Sequence, residues 1–448
     1  MKKYEVVVIG AGPGGYQAAL ELGRAGVKTL LIDRAKEHVG GTCLNVGCIP
    51  TKSYLESASF ISKIEHFKKM GLNLDFKGLN LEQLKEKTIA LKNEIRTGVL
   101  WMLEQSKVEL AFGSASFVDA KTIEVDGETV EFKKCIVATG SKVRELPELP
   151  LDAKFILSSN DVFELNTLPK SIAIIGVGPI ACEMATFFNT FGVEVTLIGR
   201  SPQLLSNEDE DLSKALLRVF KKSNIRVITS TTIEKAEVKE KSVELFLDSK
   251  ESLECEVVLS ATGRVPNTQS LNLQNADIKL DEKGFLEVTP SFMTSQEHIY
   301  GVGDCINTPA FAHTAYAEAK IVAQNIISSA SKTNTHITPS TIFTNPQIAS
   351  CGLKERDAKA QGIEIEVKKA YFKVNAKAKI HGNDAGFIKV VVSAKSGAVL
   401  GAAIISLEAT EIIHELLLCI EKKLTISELR EMIHAHPTLS EIVTYLSD

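Results

Sequence analysis

Two cysteines near the start of the chain have a spacing that permits redox chemistry. Cys43 and Cys48 lie five residues apart in the stretch GGTCLNVGCIPTK. A disulfide needs Cα atoms about 4.4–6.8 Å apart, whereas five helical residues rise about 7.5 Å and an extended strand spans roughly twice that distance. The two sulfurs can therefore bond only if the chain turns irregularly between them, and Asn45 and Gly47 are residues that tolerate such turns.

The second cysteine is the better placed of the two to be a stable thiolate. Pro50 suits the first turn of a helix that starts near Cys48. A thiol at a helix N-terminus lies at the positive end of the helix dipole, which lowers its pKa toward thiolate formation. We therefore expect Cys48 to be the stable thiolate and Cys43 to be the freer of the two sulfurs.

The pattern by itself leaves three interpretations open. The pair could be two unrelated cysteines of a cytosolic protein, a zinc clip or a catalytic disulfide. A zinc site needs two more ligands, and only His38 lies near in sequence. The glycine loop at residues 10–15, only 28 residues before Cys43, favours the catalytic disulfide, because a flavin held by that loop would place its ring near the pair.

The elements that must position this chemistry are two similar strand–loop–helix–strand units. The first has Gly10, Gly12 and Gly15 in G-x-G-x-x-G spacing between a strand and a helix, and its second strand ends at Asp33. The same arrangement recurs 166 residues later, with Gly176, Gly178 and Ala181. One such motif is weak evidence, but two copies in the right context predict that two dinucleotides are bound at once.

The fold class follows from the order of these elements. The two repeated units predict an α/β protein with two Rossmann-like dinucleotide-binding domains. From about residue 336, apolar strands such as GFIKVVV and VLGAAII alternate with amphipathic helices such as ATEIIHELLLCIEKK and ISELREMI. This change predicts a C-terminal α+β domain with an antiparallel sheet.

Composition narrows the class of protein further. The net charge of −5 over 448 residues argues against a nucleic-acid binder or an anionic-membrane binder. The first apolar run breaks into glycines after Ile9, too soon for a signal peptide, and no run predicts a membrane span. We expect a cytoplasmic protein, in which persistent structural disulfides are rare.

These motifs together resemble one enzyme family. The cysteine stretch, with VVVIGAGPGG, CIVATGS, ATGRVPNT, IYGVGD and HAHPTLSE, is similar to the pyridine nucleotide–disulfide oxidoreductases, and specifically to their dihydrolipoamide dehydrogenase branch. The resemblance implies an FAD-binding domain over residues 1–148 and 271–335, an NAD(P)-binding domain over 149–270 and an interface domain over 336–448.

The resemblance also implies residues for the two cofactors. Gly10, Gly12 and Gly15 would hold the FAD pyrophosphate, Asp33 would accept from the adenosine ribose, and Asp304 would accept from the ribityl chain. The family usually has Glu where this chain has Asp33. The remaining cofactor-binding residues implied by the motifs are Thr139, Gly140, Gly176, Gly178, Arg200 and Gly263.

Four further residues take catalytic roles by the same resemblance. Lys52, one helical turn after Cys48, would lie by the flavin and pair with Glu183. His436 would be the acid–base group and Glu441 the carboxylate that orients it. Thr438 and Glu441 also have the spacing of a capping box, and the two roles are compatible. His434 is given no catalytic role.

Cys43 and His436 lie at opposite ends of the chain, and family members solve this with a homodimer in which the base reaches the partner's disulfide. The resemblance therefore implies a homodimer with residues 336–448 forming much of the interface. The resemblance also implies, as a further partner, a lipoyl domain of a 2-oxoacid dehydrogenase or glycine cleavage complex.

One position departs from the dihydrolipoamide dehydrogenase branch. Where that branch has an acid that binds the ribose 2′-hydroxyl of NAD, this chain has Gly199, followed by Arg200. Removing the anion and adding a guanidinium favours a 2′-phosphate, as in the NADPH-using glutathione and mercuric reductases. The alternative is that Arg200 is a solvated loop residue. The expected cofactors are FAD and NAD(P), with NADPH or dual use favoured.

The predicted function is an FAD-dependent disulfide oxidoreductase, as a dihydrolipoamide dehydrogenase, that relays electrons between a dithiol, the Cys43–Cys48 pair, FAD and NAD(P). One alternative is an NADPH-dependent disulfide reductase. A vicinal cysteine pair at the C-terminus, typical of mercuric reductases, is absent from the sequence, and Thr51 stands where glutathione reductases usually have Lys. A further alternative is a flavin-binding subunit that has lost turnover.

Overall fold

A computed structural model describes residues 2–446. The strands, in chain order, are β1 (Lys2–Ile9), β2 (Thr29–Asp33), β3 (Glu109–Phe112), β4 (Ala115–Asp119), β5 (Thr122–Val125), β6 (Glu128–Val137), β7 (Ser141–Val143), β8 (Ile156–Ser158), β9 (Ser171–Ile175), β10 (Glu194–Ile198), β11 (Arg226–Ile228), β12 (Ile233–Val238), β13 (Val243–Leu247), β14 (Ser252–Cys255), β15 (Val257–Ser260), β16 (Arg264–Pro266), β17 (Ile299–Gly301), β18 (Ser340–Ile342), β19 (Gln347–Gly352), β20 (Ile365–Tyr371), β21 (Phe387–Ser393) and β22 (Val399–Ser406).

Helices connect and cover these strands. In chain order they are α1 (Pro13–Arg24), α2 (Gly41–Val46), α3 (Cys48–Lys69), α4 (Leu81–Gln105), α5 (Pro179–Thr190), α6 (Glu210–Lys222), α7 (Ala312–Ser328), α8 (Glu355–Ala360), α9 (Ala376–Ile380), α10 (Ala409–Glu421) and α11 (Ile426–Glu431). Short 3-10 turns include Gly303–Cys305 and Ser440–Tyr445. Within residues 2–446, no helix combines the length and the apolar character that crossing a bilayer requires.

The chain divides into two compact units. The first comprises Met1–Pro50, Gln83–Arg144 and Gly263–Thr335, and the second comprises Thr51–Glu82, Glu145–Thr262 and His336–Asp448. The domain boundaries expected from the sequence (1–148 with 271–335, 149–270 and 336–448) stay predictions.

The first unit is built on one large sheet. Its strand order is β3-β2-β1-β6-β5-β4, with β17 beside β6. The strands β3, β2, β1, β6 and β17 are parallel, and β4 and β5 add an antiparallel hairpin. The central strand β1 is apolar and buried from Val6 to Ile9, as expected for a parallel strand covered on both faces. The carboxyl ends of β1 and β2 therefore meet at one edge of the sheet.

The second unit contains two larger sheets. One has the parallel order β11-β10-β9-β15-β8, and its first three strands repeat the arrangement of β3-β2-β1. The other has the antiparallel order β18-β19-β22-β21-β20, and α10 packs on it over a core of small and branched apolar residues. The predicted α/β class with a C-terminal antiparallel domain is confirmed.

Candidate active site

The first glycine loop has the geometry of a phosphate cradle. It joins β1 to α1, and Gly10 has φ +101°, a conformation that favours glycine. A Cβ on Gly10 would lie 2.4 Å from the Ala138 carbonyl oxygen, and one on Gly15 would lie 1.7 Å from the Gly10 oxygen. Gly12 borders open space, with its nearest neighbour at 3.8 Å, and no side chain caps the first turn of α1. The N–H groups of that turn are thus directed to where an anion can approach.

The carboxylate that ends β2 lies against this loop. Asp33 Oδ2 accepts a hydrogen bond from the Ala11 N–H at 2.7 Å, and Oδ1 accepts from the Arg34 N–H at 2.7 Å. Each carboxylate oxygen has a second lone pair for another donor. The structure therefore places Asp33 against the first glycine loop, and its contact with an adenosine ribose stays a prediction.

Thr139 and Gly140, which lie shortly after β6 in the chain, have features of a binding surface. Thr139 Oγ1 is buried and has no hydrogen-bond partner among residues 2–446. Gly140 has φ +67°, and a Cβ there would meet nothing within 4 Å. A buried unpartnered hydroxyl costs about 1–3 kcal/mol unless a ligand or water satisfies it, so this pair fits a bound group.

The Asp304 carboxylate begins a chain of polar contacts that the sequence did not predict. Ser141 Oγ donates to Asp304 Oδ2 at 2.7 Å, and Arg264 Nε donates to Ser141 Oγ at 2.8 Å. The Arg264 guanidinium also donates to the Ser141 carbonyl at 2.7 Å and to Thr42 Oγ1 at 3.3 Å. Ser141 and Arg264 are the next residues of the CIVATGS and ATGR motifs, and this adjacency is the signal that could have identified them.

Arg264 is half-buried, and this partial burial lowers the pKa of its guanidinium. The negative charges of Asp304 and of a Cys48 thiolate act in the opposite direction. This cation can consequently stabilise a thiolate at Cys48.

The two cysteines lie on either side of a break between helices. Cys43 is in α2, which ends at Val46, Gly47 interrupts the helical backbone with φ −133°, and α3 begins at Cys48. The expected irregular turn and the expected helix start near Cys48 are both confirmed. Cys43 and Cys48 are half-buried, whereas the other six cysteines are buried.

Burial gives the other cysteines unreactive thiols. It raises the pKa of Cys255 and Cys419 to about 11 and that of Cys305 and Cys351 to about 12. The thiolate is the nucleophilic form of cysteine. Half-burial thus distinguishes Cys43 and Cys48 as the accessible pair.

Lys52 and Glu183 form the predicted ion pair. Lys52 lies one turn after Cys48 on α3, and its Nζ is 3.0 Å from both carboxylate oxygens of Glu183 on α5. The Glu183 side chain is 5% exposed, so the pair is shielded from water on the carboxylate side. The alternative of two solvated helix charges is wrong for Glu183.

His436 and Glu441 are joined as the sequence predicts. His436 Nδ1 lies 2.9 Å from Glu441 Oε2, with an exposed imidazole and a buried carboxylate. Thr438 Oγ1 accepts from the Glu441 N–H at 3.3 Å, which is half of a capping box, and the carboxylate bonds His436 instead of completing that box. His434 has a different partner, Glu415, at 2.7 Å.

The second glycine loop repeats the geometry of the first. It joins β9 to α5, and Gly176 has φ +132° with a virtual Cβ 2.3 Å from the Ala261 oxygen. Gly178 has nothing within 4 Å of a virtual Cβ, and no side chain caps α5. The loop is therefore open for a second pyrophosphate. Gly263, also predicted as a cofactor residue, has φ +114° and open space around it.

Packing explains why position 199, where the dihydrolipoamide dehydrogenase branch has an acid, is a glycine in this chain. A Cβ on Gly199, just after β10, would lie 2.7 Å from Val177 Cγ1 and 2.9 Å from Val177 Cγ2. An acidic side chain cannot be added here unless Val177 moves. Arg200, the next residue, is exposed.

The site residues are divided between the two units. Cys43, Cys48, Asp33 and Asp304 belong to the first unit, and the pairs Lys52–Glu183 and His436–Glu441 belong to the second. Within residues 2–446, no group of His, Cys, Asp or Glu side chains has the arrangement of a metal site.

Two glycine loops on parallel sheets, an accessible cysteine pair and an antiparallel C-terminal sheet are together typical of a flavoprotein disulfide oxidoreductase. Comparison with known families agrees, because residues 4–319 match the pyridine nucleotide-disulphide oxidoreductases and residues 338–446 match the dimerisation domain of that family. The chain belongs to the pyridine nucleotide-disulphide oxidoreductase family. The dimerisation-domain match supports a homodimer.

Relatives named dihydrolipoyl dehydrogenase match nearly the whole chain. It is 34% identical to a dihydrolipoyl dehydrogenase of Geobacillus stearothermophilus, over 98% of this chain and 94% of the relative. It is also 34% identical to the mitochondrial dihydrolipoyl dehydrogenase of Schizosaccharomyces pombe, over 98% and 88% of the two chains.

Solved structures share the fold. The HOCl-induced flavoprotein disulfide reductase RclA from Escherichia coli superposes with a TM-score of 0.90 at 25% identity, over 99% of both chains. LpdA from Mycobacterium tuberculosis superposes with a TM-score of 0.92 at 24% identity, over 100% of this chain and 99% of that one, and this likeness shows the fold.

The family uses FAD and a pyridine nucleotide, and the residues of this chain fit both groups. The first loop offers an uncapped helix N-terminus, and Thr139 offers a buried hydroxyl without a partner among residues 2–446. The second loop offers a similar opening at Gly178.

Proposed function

We propose that this protein is a flavin-dependent dithiol–disulfide oxidoreductase of the dihydrolipoyl dehydrogenase type, with Cys43 and Cys48 as its redox pair. The observation that supports this most directly is the exposure pattern, because only these two of the eight cysteines are not buried. The helix start at Cys48 and the half-buried cation Arg264 both favour a thiolate at this sulfur.

The exchange step follows from these positions. A substrate thiolate attacks Cys43, the S–S bond breaks, and Cys48 leaves with the electron pair as a thiolate. The second substrate thiolate then attacks the substrate sulfur of this mixed disulfide, so that the two substrate sulfurs become bonded to each other and Cys43 leaves as a thiolate. Two electrons pass from the dithiol to the cysteine pair, and FAD, when bound, would carry them on to the pyridine nucleotide.

His436 is the proposed acid–base group of that exchange. It takes the proton of the first attacking thiol through Nε2, because Nδ1 faces the Glu441 carboxylate. The proton of the second thiol passes to the departing Cys43 thiolate. The buried carboxylate fixes the tautomer and stabilises the imidazolium. As the family resemblance implies, this histidine acts on the cysteine pair of the partner subunit in a homodimer. The proposed dithiol is a dihydrolipoyl group, either free or on a lipoyl domain.

The groups that hold FAD and position it are proposed as follows. Gly10, Gly12 and Gly15 hold the pyrophosphate, Asp33 binds the adenosine ribose, and Asp304 binds the ribityl chain. Thr139 and Gly140 line the same cofactor. Lys52, held by Glu183, places its ammonium by the flavin.

We further propose that the pyridine nucleotide is NADPH in preference to NADH. Gly176, Gly178 and Gly263 border it, and Val177 fills the space that an acid at position 199 would need. A ribose 2′-phosphate is thereby not repelled, and the exposed Arg200 guanidinium can bind it with paired hydrogen bonds. This observation also favours a second candidate function, an NADPH-driven reductase of a small disulfide with the same residues.

Absorbance and steady-state kinetics together test the proposal. The FAD-loaded protein should develop a long-wavelength charge-transfer band on two-electron reduction, and Cys48→Ser should abolish it while Cys255→Ala, a buried control, keeps it. Rates with lipoamide and with glutathione disulfide, each with NADH and NADPH, identify the substrate and the coenzyme. Full dithiol turnover by Cys48→Ser would refute the exchange.

A further inference from the structure

We propose that Phe343 is a positioning residue for Lys52, acting on both members of the Lys52–Glu183 ion pair. Its backbone holds the carboxylate and its ring holds the ammonium. The catalytic consequence rests on the proposed function, whereas the positioning itself does not.

The carboxylate contact is a backbone hydrogen bond. The Phe343 N–H donates to Glu183 Oε1 at 2.9 Å. This oxygen also receives the Lys52 ammonium at 3.0 Å, as does Oε2. A buried carboxylate needs such donors, because it has lost the water that would otherwise solvate its charge. The N–H of Phe343 therefore fixes one edge of Glu183 whatever side chain position 343 carries.

The ammonium contact is made by the aromatic ring. Lys52 Nζ lies 4.6 Å from the centroid of the Phe343 ring, within the range of a cation–π interaction. The ammonium thus meets a carboxylate on one side and a ring face on another. About a third of the Lys52 side chain remains exposed, so these contacts restrict a lysine that solvent could otherwise reorient.

The strand β18 determines where the Phe343 side chain points. Phe343 directly follows β18, which pairs with β19 in the antiparallel sheet. Its neighbours Ile342 and Thr344 are buried, and Thr344 Oγ1 donates to the Pro346 carbonyl at 2.7 Å. Side chains alternate between faces along an extended chain, so burial of both neighbours turns the Phe343 ring the other way, toward Lys52.

This placement links two parts of the family architecture. Phe343 lies in the segment that matches the dimerisation domain, whereas Lys52 and Glu183 lie in the segment that matches the oxidoreductase domain. The lysine proposed to face the flavin is consequently held in place by the C-terminal sheet. A side chain that keeps an aromatic face should preserve the effect, and an aliphatic one of similar size should not.

The competing explanation is that Phe343 is ordinary apolar packing. In that case its replacement would affect stability and would change Lys52 no more than a comparable substitution elsewhere. Phe246 on β13 provides the matched control, because it is also a half-buried phenylalanine of the second unit.

Lysine reactivity tests the positioning directly. Four proteins are acylated briefly with acetic anhydride, with and without FAD: wild type, Phe343→Leu, Phe343→Tyr and Phe246→Leu. Peptide mass spectrometry quantifies the modification of Lys52, with the exposed Lys107 as the reference. Phe343→Leu should increase modification of Lys52 about fivefold, as expected for loss of a cation–π contact. Phe343→Tyr and Phe246→Leu should match wild type. Unchanged Lys52 reactivity in Phe343→Leu overturns the proposal.

A double-mutant cycle tests the consequence. Phe343→Leu should slow flavin reduction by NADPH about fivefold in the wild-type background and have no effect in a Lys52→Gln background, because the ring acts through that lysine. Equal slowing in both backgrounds would show that Phe343 acts by another route, and this too overturns the proposal. The acylation result remains interpretable even if the Cys48→Ser experiment refutes the exchange.

Discussion

His436 Nδ1 lies 2.9 Å from Glu441 Oε2, and the histidine is 70% exposed while the carboxylate is 8% exposed. Glu441 Oε1 is buried and has no hydrogen-bond partner within residues 2–446. The hydrogen bond with His436 is therefore the one side-chain contact that holds this buried carboxylate, among residues 2–446. The exposed imidazole is thereby oriented from beneath while its Nε2 remains available for proton transfer.

Replacement of the histidine should remove most of the dithiol activity. We expect His436→Gln to lower kcat/KM for the dithiol by about 10²–10⁴-fold, the usual contribution of a general base. Glu441→Gln should cause a smaller loss in the same direction, because the amide can still bond Nδ1 but carries no charge. Stopped-flow measurement of enzyme reduction by dihydrolipoamide checks both variants.

His434 is the control for that experiment. It bonds Glu415 and lies two residues before His436. The His434→Gln variant should be reduced by dihydrolipoamide at the wild-type rate. A loss equal to that of His436→Gln would mean that the segment, and not the His436 imidazole, is what matters.

Cysteine alkylation should be confined to one pair. The reduced protein, treated briefly with iodoacetamide at pH 7, should be modified at Cys43 and Cys48, because these two thiols are half-buried and the other six are buried. Four of those six have a pKa of about 11 or 12 as a result of burial, so their thiolate fraction at pH 7 is negligible. Peptide mapping by mass spectrometry is the measurement, and rapid labelling of Cys305 or Cys351 would contradict it.

The local elements of this fold could be predicted from the sequence because their signals are local. The amphipathic run ISELREMI begins at Ile426, and this residue is the first residue of the helix α11. The strand starting at Val399 and the helix starting at Ala409 also begin where the pattern predicts. Short strands such as β18 lack such a signal and were not predicted individually.

Long-range contacts could be predicted only through a motif. Lys52 and Glu183 are 131 residues apart, and nothing in the residues alone would join them without the family resemblance. The contact of Phe343 with the same pair was missed, because an apolar residue after a short strand predicts burial and says nothing of its partner. Steric complementarity between Val177 and Gly199 is likewise invisible until the backbone is folded.

Coenzyme preference should respond to Arg200. We expect Arg200→Leu to lower kcat/KM for NADPH about 10–100-fold, the effect of losing a charge-assisted hydrogen bond to phosphate, and to leave kcat/KM for NADH unchanged. Steady-state rates with the two coenzymes give the ratio. An equal loss for both would show that Arg200 does not read the 2′ position.

Restoring an acid should require a second change. Gly199→Glu alone places its Cβ within 2.7 Å of Val177 Cγ1 and should impair both coenzymes. Val177→Gly combined with Gly199→Glu should relieve the overlap and favour NADH, because the carboxylate can then bond the 2′-hydroxyl and repel a 2′-phosphate. A single variant that uses NADH as well as the double variant does would contradict the steric argument.

Acid should weaken the second unit through Asp211. Burial by itself would raise the pKa of this carboxyl, but hydrogen bonds from Lys369 and Lys389 outweigh it and lower the pKa from 3.8 to about 2. Stabilisation by Asp211 is therefore complete above pH 4 and is lost as the pH falls toward 2. With the carboxylate about one-third exposed, we expect about 1–2 kcal/mol. Urea unfolding of Asp211→Asn should show this loss of unfolding free energy at pH 6 and a smaller loss at pH 3.

The control is Glu282→Gln, at an exposed carboxylate, which should match wild type at both pH values. A loss in Asp211→Asn that does not change with pH would exclude titration of Asp211 as the cause.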